Sequence, residues 1–416
     1  MNRSVSVLGA GIVGISCALE LQRRGFQVTL IDRRGPGEET SSGNAGILSY
    51  SNITPLADPA LLSRLHRLLL NLDADLLIHY PHLPSLLPWL SRFLRRCRRQ
   101  TYLADGDAMS RLTQASIDLH RQWIDAAGLQ PLLNSGGGLK LYRHRRTFAR
   151  DRLERELLQQ CGVRHTLLDA DEVRQLEPDL NRIFAQGVLI DESISIRNPE
   201  KLCKAYAQML VDAGGRIVRA AVREIRPTGD GWKLVTDRGP ESAERLVVCM
   251  GAWTPEIIGP LGYANPLAIE RGYHTIVAPA PGKHLSRPIF DVDASYVMAP
   301  MEMGWRVTTG TNLARREALP DPRQLARVMP RVREAIAIEQ ELLREPWMGR
   351  RPTVPDTLPI IGPAPRHPNL WLAFAHSHMG LTLGPISGVL IANFIEDKPQ
   401  PFSPEACNPA RYLEAS

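Results

Sequence analysis

The first thirty-four residues place the strongest constraint on what this chain can fold into. Residues 4–34 read SVSVLGAGIVGISCALELQRRGFQVTLIDRR, in which a short apolar strand runs directly into Gly9, Gly11 and Gly14. Helical spacing follows, and a second apolar strand ends at Asp32. The first glycine of such a unit permits a tight turn, the second lets a pyrophosphate approach the backbone, and the third brings helix and strand together. The pattern predicts a Rossmann-like βαβ unit.

The acid that closes this unit narrows the choice of cofactor. Asp32 is placed to accept hydrogen bonds from ribose hydroxyls and to repel a 2′-phosphate. A GxGxxG pattern alone is weak, because glycine-rich turns are common, but here strand, glycines, helix, second strand and acid are all in register. The unit therefore predicts a dinucleotide with an unphosphorylated adenosine ribose, either FAD or NAD.

Composition excludes several classes of protein. A chain of 416 residues is long enough for two domains, and 44% hydrophobic with 23% charged residues is typical of a globular protein. The six cysteines show no CxxC and no Cys/His ligand spacing, so we expect neither disulfides nor a zinc site. We expect a reducing compartment, the cytoplasm, and no targeting peptide. The net charge of +6 permits an anionic partner without identifying one.

Four later segments decide between the two cofactors. They are TSSGNAG at 40–46, LVVCMGAW at 246–253, GRRPTVPDTLPIIG at 349–362 and AHSHMGLTLGPISG at 375–388. On its own the first is an ordinary polar loop. In this order, after GAGIVG and Asp32, they resemble the D-amino-acid oxidase and dehydrogenase superfamily, and most of all its bacterial membrane-associated D-amino-acid dehydrogenases. The resemblance covers nearly the whole chain and implies FAD.

The resemblance, with the strand patterns in the middle of the chain, implies an α/β fold class. We expect a Rossmann-like FAD-binding domain of the glutathione-reductase type, built from residues 1–60, 197–262 and 345–416. An inserted α+β substrate-binding domain on a mostly antiparallel sheet takes residues 61–196 and 263–344.

Two adjacent arginines lie on a proline-rich stretch that suits neither a regular helix nor a central strand. Arg351 precedes Pro352 and is therefore biased towards extended geometry. Its planar guanidinium matches a carboxylate or phosphate with two parallel hydrogen bonds. The resemblance implies that Arg351 binds the substrate carboxylate, whereas Arg350 makes a structural ion pair or faces solvent.

Three more candidates for the catalytic site come from the resemblance. Tyr273 and Tyr296 lie on predicted strands where relatives use tyrosines to shape the pocket, although half-buried strand tyrosines are also common packing residues. His376 belongs to a segment that places a helix N-terminus near the flavin pyrimidine, where a positive dipole stabilises reduced flavin. His376 and His378 have no third ligand nearby, so we expect no metal.

The motifs also predict the residues that bind the cofactor. They are Gly9, Gly11, Ile12, Val13, Gly14, Asp32, Arg33, Ser41, Ser42, Asn44, Ala45, Gly46, Val222, Gly251, Trp253, Gly349, His378, Met379, Gly380, Leu381 and Thr382. The strand at 293–301 carries no cysteine for covalent attachment, so FAD is expected to bind noncovalently.

The predicted reaction oxidises the Cα–N bond of a D-amino acid, or of a cyclic D-imino acid such as D-proline or hydroxyproline. Hydride passes to flavin N5, and the resulting imine hydrolyses; this is EC 1.4 or 1.5 chemistry. A quinone or oxygen is the expected electron acceptor. The alternatives are a glycine or sarcosine oxidase, an FAD-dependent modifier of tRNA side chains, and a non-catalytic flavin subunit of a larger complex. Partner subunits are possible under this hypothesis, and no nucleic acid is expected.

One predicted helix, residues 85–99, is both basic and amphipathic. Leu86, Leu90, Phe93 and Cys97 share one face, and Arg92, Arg95, Arg96 and Arg99 share the opposite face. Such a helix can lie on an anionic membrane, here the inner face of the cytoplasmic membrane. The alternative is a core-packed helix with a solvated arginine face.

Overall fold

The computed structural model describes residues 3–413. The strands are β1 Ser4–Leu8, β2 Gln27–Asp32, β3 Ile47–Leu48, β4 Leu76–Ile78, β5 Leu133–Asn134, β6 Gly138–Tyr142, β7 His165–Asp169, β8 Gln186–Ile190, β9 Ile194–Ile196, β10 Arg216–Arg219, β11 Val222–Pro227, β12 Trp232–Thr236, β13 Gly239–Ala243, β14 Leu246–Val248, β15 Ala268–Pro279, β16 Ile289–Asp291, β17 Tyr296–Met301, β18 Gly304–Thr309, β19 Thr311–Leu313, β20 Ile338–Glu341, β21 Trp347–Thr353, β22 Ile360–Pro363 and β23 Leu370–Phe374. The helices are α1 Ile12–Arg23, α2 Ala60–Leu69, α3 Leu83–Arg96, α4 Arg99–Ala126, α5 Arg145–Arg150, α6 Arg152–Gln160, α7 Ala170–Leu176, α8 Pro199–Asp212, α9 Thr254–Ile258, α10 Arg323–Ala335, α11 Gly380–Glu396 and α12 Ala410–Leu413. Short 3₁₀ helices lie at Tyr80–His82, Gln130–Leu132, Gly251–Trp253, Gly259–Leu261 and Glu405–Cys407.

A six-stranded sheet carries the nucleotide motif, in the order β10-β2-β1-β14-β23-β22. Its first five strands are parallel, and β22 runs antiparallel to β23. Val5 and Val7 pack with helices α1, α8 and α11 on one face, while Leu8 packs with the β11-β12-β13 sheet on the other. This alternation follows from the two-residue period of a strand. The βαβ unit predicted from the sequence is confirmed.

The second large element of the fold is an eleven-stranded sheet. Its path is β4-β19-β15-β18-β17-β16-β6-β8-β7, and β20 and β21 also pair with β15. Only β4 with β19 and β6 with β16 pair in parallel, so the sheet is mostly antiparallel, as predicted. Helices α7 and α10 cover it through an apolar cluster that includes Val277, Met298 and Val328.

Strand β21, which carries both arginines, belongs to this large sheet. It pairs antiparallel with Ala268–His274 of β15 and with no other strand of the described chain. Pro352 is tolerated there because an edge strand leaves one side of the backbone unpaired. The expectation of an extended, non-central stretch is therefore met. Residues 347–353, which we predicted as part of the FAD-binding segment 345–416, pair with the eleven-stranded sheet. The domain division remains a prediction.

The basic amphipathic segment is divided between two helices. Helix α3 ends at Arg96, and α4 begins at Arg99. Arg96 forms a 2.6 Å ion pair with Asp105, so it does not belong to a free basic face. Trp89, buried beside Leu86, donates a 3.1 Å hydrogen bond to the Thr353 carbonyl and anchors the end of β21. Within residues 3–413, no helix combines the length and apolar character that a bilayer crossing requires.

Candidate active site

A cavity of about 910 Å³ lies between the two sheets. The carboxyl ends of β1, β2, β14 and β23 form one side, and β15 and β21 of the large sheet form the other. Open parallel sheets bind ligands at the carboxyl ends of their strands, so this is the expected position for a dinucleotide.

The glycine turn leaves room for a pyrophosphate. Gly9 has φ +100°, and a Cβ there would stand 2.5 Å from the Cys249 carbonyl oxygen. A Cβ on Gly14 would overlap the Gly9 carbonyl, so both positions exclude side chains. Helix α1 begins after Gly11, which has no side chain to cap it, and its first turn carries no acid. The Ile12 N–H donates to Ser41 Oγ at 3.1 Å, and the remaining N-terminal N–H groups and the positive dipole end make an anion site.

Asp32 borders the same end of the cavity. Its carboxylate accepts hydrogen bonds from the backbone N–H groups of Ala10 at 2.6 Å and Arg34 at 2.8 Å. Burial raises the pKa of Asp32, and the two amides oppose that shift. The carboxylate is thus held in one orientation at the end of β2, where a ribose diol would be recognised.

The 40–46 loop is fixed from the large sheet. The buried Arg306 donates to the carbonyls of Ser42 at 2.9 Å and Asn44 at 2.5 Å. Burial lowers the pKa of Arg306 to about 10. The Trp347 ring stacks on His274 at 4.7 Å and covers Gly43 so closely that a Cβ there would overlap the indole. The cavity wall is therefore built from both sheets.

Arg351 lies at the other end of this wall. It faces Glu270 across the β15–β21 pair, and its guanidinium covers Gly272, where a Cβ would overlap it. Throughout residues 3–413 no hydrogen bond or ion pair reaches that guanidinium. Burial lowers the pKa of Arg351, and the Glu270 carboxyl opposes this shift. A desolvated cation without a partner is costly unless an anionic ligand joins it.

A strained loop joins Arg351 to helix α11. Ala375 and Ser377 both have positive φ, +62° and +50°, although neither is glycine. The Ser377 N–H donates to the Pro352 carbonyl at 3.0 Å, which ties the loop to β21. Helix α11 then starts at Gly380 without a side-chain cap. Strained backbone of this kind concentrates at functional sites, and the uncapped N-terminus directs a positive dipole into the cavity.

The two histidines of this loop are neutral. Ser387 donates its hydroxyl hydrogen to the Leu383 carbonyl at 2.7 Å, so His376 Nε2 must donate to Ser387 Oγ at 2.8 Å. Burial lowers the pKa of His376 to about 3. His378 is exposed and borders the cavity, and desolvation together with Arg351 lowers its pKa to about 4. No three histidine, cysteine, aspartate or glutamate residues of the described chain converge as a metal site.

Comparison with known proteins identifies the family. The family model described as "FAD dependent oxidoreductase" (DAO) matches residues 4–394. A D-amino-acid oxidase from Bradyrhizobium diazoefficiens is 32% identical, with 99% of both chains covered. The chain belongs to the FAD-dependent oxidoreductase family. A D-amino acid dehydrogenase from Chromohalobacter salexigens is 27% identical over 98% of this chain and 99% of the relative.

Solved structures share the fold of this oxidoreductase. Glycine oxidase from Geobacillus kaustophilus superposes with a TM-score of 0.75 at 20% identity, covering 98% of each chain. L-proline dehydrogenase from P. horikoshii superposes with a TM-score of 0.74 at 17% identity, covering 99% of this chain and 98% of the other. These likenesses show the fold alone, since the identities are low.

FAD, the cofactor of the family, fits the glycine cradle, Asp32 and the N-termini of α1 and α11. The residues that we predicted from sequence and that border the cavity are Gly9, Gly11, Ile12, Val13, Asp32, Arg33, Ser41, Asn44, Ala45, Val222, Gly251, Trp253, Tyr273, Gly349, Arg351, His376, His378, Gly380 and Leu381. The predicted residues that do not border it are Gly14, Ser42, Gly46, Tyr296, Met379 and Thr382.

Several of these exceptions support the cavity from behind. Gly14 packs beneath Gly9, and Ser42 Oγ donates to the Glu39 carbonyl at 2.9 Å. Gly46, with φ +73°, packs against Ile196, and Thr382 Oγ1 donates to the Ile47 carbonyl at 3.4 Å. Their contacts hold the cradle in shape rather than meeting a ligand.

The two tyrosines predicted for the substrate pocket differ in their position relative to the cavity. Tyr273 touches the cavity, but its phenol oxygen accepts a 2.8 Å hydrogen bond from the Asp321 N–H. Side chains alternate along β15, so Tyr273 points away from the face that carries Glu270 and Gly272. Tyr296 is buried in the core of the large sheet, and its neighbour Val297 borders the cavity instead.

The expected partner of Arg350 was also wrong. Arg350 donates from Nε to the Arg316 carbonyl at 3.0 Å, and its guanidinium lies 5.8 Å from the Trp253 ring centroid. It therefore makes a backbone hydrogen bond and a cation–π contact where an ion pair or solvent was expected.

Sequence reasoning missed four side chains that build the site. They are Glu270, His274, Arg306 and Trp347. A fifth, His120, is buried on α4; its Nε2 lies 2.8 Å from the Leu381 carbonyl and its Nδ1 2.9 Å from the Tyr206 hydroxyl. The only available signal was a run of polar residues, Glu270 to His274, inside an otherwise apolar strand pattern.

Proposed function

We propose that this FAD-dependent oxidoreductase oxidises the Cα–N bond of a D-amino acid or a cyclic D-imino acid, such as D-proline or hydroxyproline, to the imine. The observation that carries the proposal is the Arg351 guanidinium, half-buried at the cavity wall and without an ion-pair or hydrogen-bond partner in the described chain. A small carboxylate is the simplest ligand for it. Two relatives with D-amino acids in their names support the D configuration.

Bound FAD supplies the chemistry, because it accepts a hydride equivalent from the substrate Cα at flavin N5. Arg351 holds the substrate carboxylate, which fixes the direction of the Cα–H bond and converts binding energy into orientation. The N-terminus of α11 places its positive dipole end where negative charge develops during the reaction. His376 stays neutral and positions the loop through Ser387. Hydride loss from Cα requires a neutral nitrogen, so a substrate bound as a zwitterion first releases its ammonium proton to solvent, and no side-chain base is assigned.

The proposal is tested by anaerobic mixing of the purified holoenzyme with matched D- and L-amino acids and imino acids. We expect bleaching of the flavin spectrum with D enantiomers, and turnover with an artificial electron acceptor. Inactivity towards every amino and imino acid refutes the proposal, and preference for glycine or sarcosine favours the amine-oxidase alternative. Retention on tRNA with strong salt dependence favours the tRNA modifier. Bound FAD that no substrate bleaches favours a non-catalytic flavin subunit.

Neighbouring arginines provide a matched pair of variants. Arg351→Met removes the proposed carboxylate ligand, and Arg350→Met removes the adjacent arginine, which also borders the cavity but is already engaged by the Arg316 carbonyl and the Trp253 ring. Truncating one partner of a buried charge pair costs roughly 2–5 kcal/mol, so Arg351→Met should lower kcat/KM by about thirtyfold or more. Arg350→Met should change it far less. Equal losses in the two variants would contradict the assignment of Arg351.

We also propose that the segment 62–87 contacts the inner face of the cytoplasmic membrane, where a quinone would accept the electrons. Large apolar side chains are exposed along it, namely Leu62, Leu69, Leu70, Leu72, Tyr80 and Leu87. The exposed Arg92 and Arg95 follow on α3. Apolar side chains beside cations suit an anionic lipid surface. Co-sedimentation with anionic vesicles, lost in Leu70→Ser/Leu72→Ser and weak with neutral vesicles, is the expected result. No difference between vesicle types argues for a solvated basic face.

A further inference from the structure

A second buried charge faces the cavity beside Arg351. Glu270 is 4% exposed, borders the cavity and occupies the position on β15 directly opposite Arg351 on β21. Opposite residues of an antiparallel pair present their side chains on the same face of a sheet. The Glu270 carboxylate and the Arg351 guanidinium therefore lie on the same face of the sheet, at the cavity.

The two charges do not neutralise each other by contact. No nitrogen of Arg351 comes within 4.0 Å of a Glu270 oxygen, and the guanidinium turns towards Gly272 instead. Thr311 Oγ1 donates a long hydrogen bond of 3.4 Å to Glu270 Oε2. Burial raises the pKa of Glu270, and the positive charge of Arg351 opposes that shift. A carboxylate left without a salt bridge inside a cavity is expensive for folding alone.

This pair of opposite charges suits a ligand that carries both a positive and a negative group. An amino or imino acid at neutral pH has a carboxylate and a cationic nitrogen attached to the same carbon. A wall that offers a cation and an anion side by side can satisfy both groups of such a zwitterion at once. A 2-hydroxy acid or another plain carboxylate would leave Glu270 unpaired and close to a second negative charge.

We propose that Glu270 is the specificity-determining counter-charge for the cationic nitrogen of the substrate. The cavity would then select zwitterions over monoanions by pairing both ends. The inference rests on the proposed function, because it takes Arg351 as the carboxylate ligand. Glu270 acts in binding and positioning, and no covalent step is assigned to it.

The test uses two ligands of the same shape that cannot be oxidised at Cα. 2-Aminoisobutyrate is a zwitterion without a Cα hydrogen, and pivalate replaces its ammonium group by a methyl group. Each is titrated into the FAD-loaded holoenzyme at neutral pH, and binding is read from the perturbation of the flavin absorption bands. We expect the wild type to prefer 2-aminoisobutyrate.

Glu270→Gln should separate the two ligands. Loss of a charge-assisted hydrogen bond should weaken 2-aminoisobutyrate about tenfold or more. Pivalate should bind as well as before or more tightly, because a nearby negative charge has been removed. If both ligands tighten or weaken by the same factor, Glu270 acts only on Arg351 and the proposal is wrong. Glu270→Asp should restore part of the preference, which guards against a folding defect in the glutamine variant.

Two further variants separate failure of this inference from failure of the proposed function. Arg351→Met should lose both ligands; if it binds both as the wild type does, the carboxylate site itself is misassigned. Glu256→Gln removes a cavity-wall carboxylate that already pairs with Arg316, and it should leave the preference between the ligands unchanged. Failure of the wild type to bind either ligand overturns both proposals.

Discussion

Gly43→Ala should weaken FAD binding, for a reason that can be worked out from the structure. An ideal Cβ on Gly43 would fall within 2.5 Å of three carbons of the Trp347 ring. An ordinary contact begins near 3.4 Å, so the loop or the indole must move by about 1 Å. The backbone at Gly43 lies outside the positive-φ region, so alanine adds a steric clash and no backbone strain. Overpacking of this kind costs about 1–3 kcal/mol.

That cost should appear mainly in cofactor affinity, because Ser41, Gly43, Asn44 and Ala45 of the same loop border the cavity. We expect the FAD dissociation constant to rise about fivefold to 150-fold, measured by fluorescence quenching on reconstitution of the apoprotein. Gly229→Ala is the control, since a Cβ there meets nothing within 4 Å.

A double variant tests the steric cause directly. In Gly43→Ala/Trp347→Leu the ring is gone, so the added methyl group should cost much less than it does in the wild-type background. An unchanged FAD affinity in Gly43→Ala, or an equal loss with and without Trp347, would refute the reasoning.

Three further predictions concern the buried histidines, Tyr296 and the attachment of FAD. Burial lowers the pKa of His120 to about 4 and those of His274 and His376 to about 3, so each is neutral when folded and takes up a proton when unfolded below about pH 6.5. The free energy of unfolding should therefore be highest above that pH and should fall on acidification, by up to about 1.4 kcal/mol per pH unit for each histidine. His120→Gln should flatten this slope in denaturant titrations; an unchanged slope would contradict it. Tyr296→Phe should keep kcat/KM within about twofold, because the phenol lies outside the cavity; a large loss would return Tyr296 to the site. Acid precipitation should release FAD into the supernatant as a free yellow cofactor, whereas a yellow pellet would show covalent attachment.

The nucleotide end of the site could be predicted because its signal is local. Gly9, Gly11, Gly14 and Asp32 lie within one βαβ unit, where a Cβ on Gly14 would meet Gly9 and a Cβ on Gly9 would meet Cys249 just after β14. The extended geometry of Arg351 could be predicted from its proline context without knowledge of its strand partner, and its role as carboxylate ligand stays a prediction from the resemblance. The sequence can predict local features of a site when the residues concerned lie in one turn or one extended segment.

The side chains that line the substrate part of the cavity could not be predicted in the same way, because they depend on which face of each strand borders the cavity. A strand shows alternation in its sequence, but which alternate set faces the ligand depends on pairing with distant residues. On β15 the sequence favoured Tyr273, whereas the register with β21 turns Glu270, Gly272 and His274 to the cavity. On β17 the sequence favoured Tyr296, whereas its neighbour Val297 borders the cavity. Tyr296 thus lies one residue from the side chain that borders the cavity, whereas Tyr273 itself borders it.

The electrostatics of the cavity follow from this arrangement of faces. His376 and His378 are neutral near pH 7, so they neither attract a carboxylate nor compete with one. Arg351 is then the group beside Glu270 that supplies positive charge, and Glu270 is the negative charge placed opposite it across the strand pair. Arg33, Arg223 and Arg350 also border the cavity, and the N-termini of α1 and α11 add positive dipole ends that suit a diphosphate and a reduced flavin. The helix dipoles therefore suit the cofactor, and the Arg351–Glu270 pair on neighbouring strands suits a zwitterionic substrate.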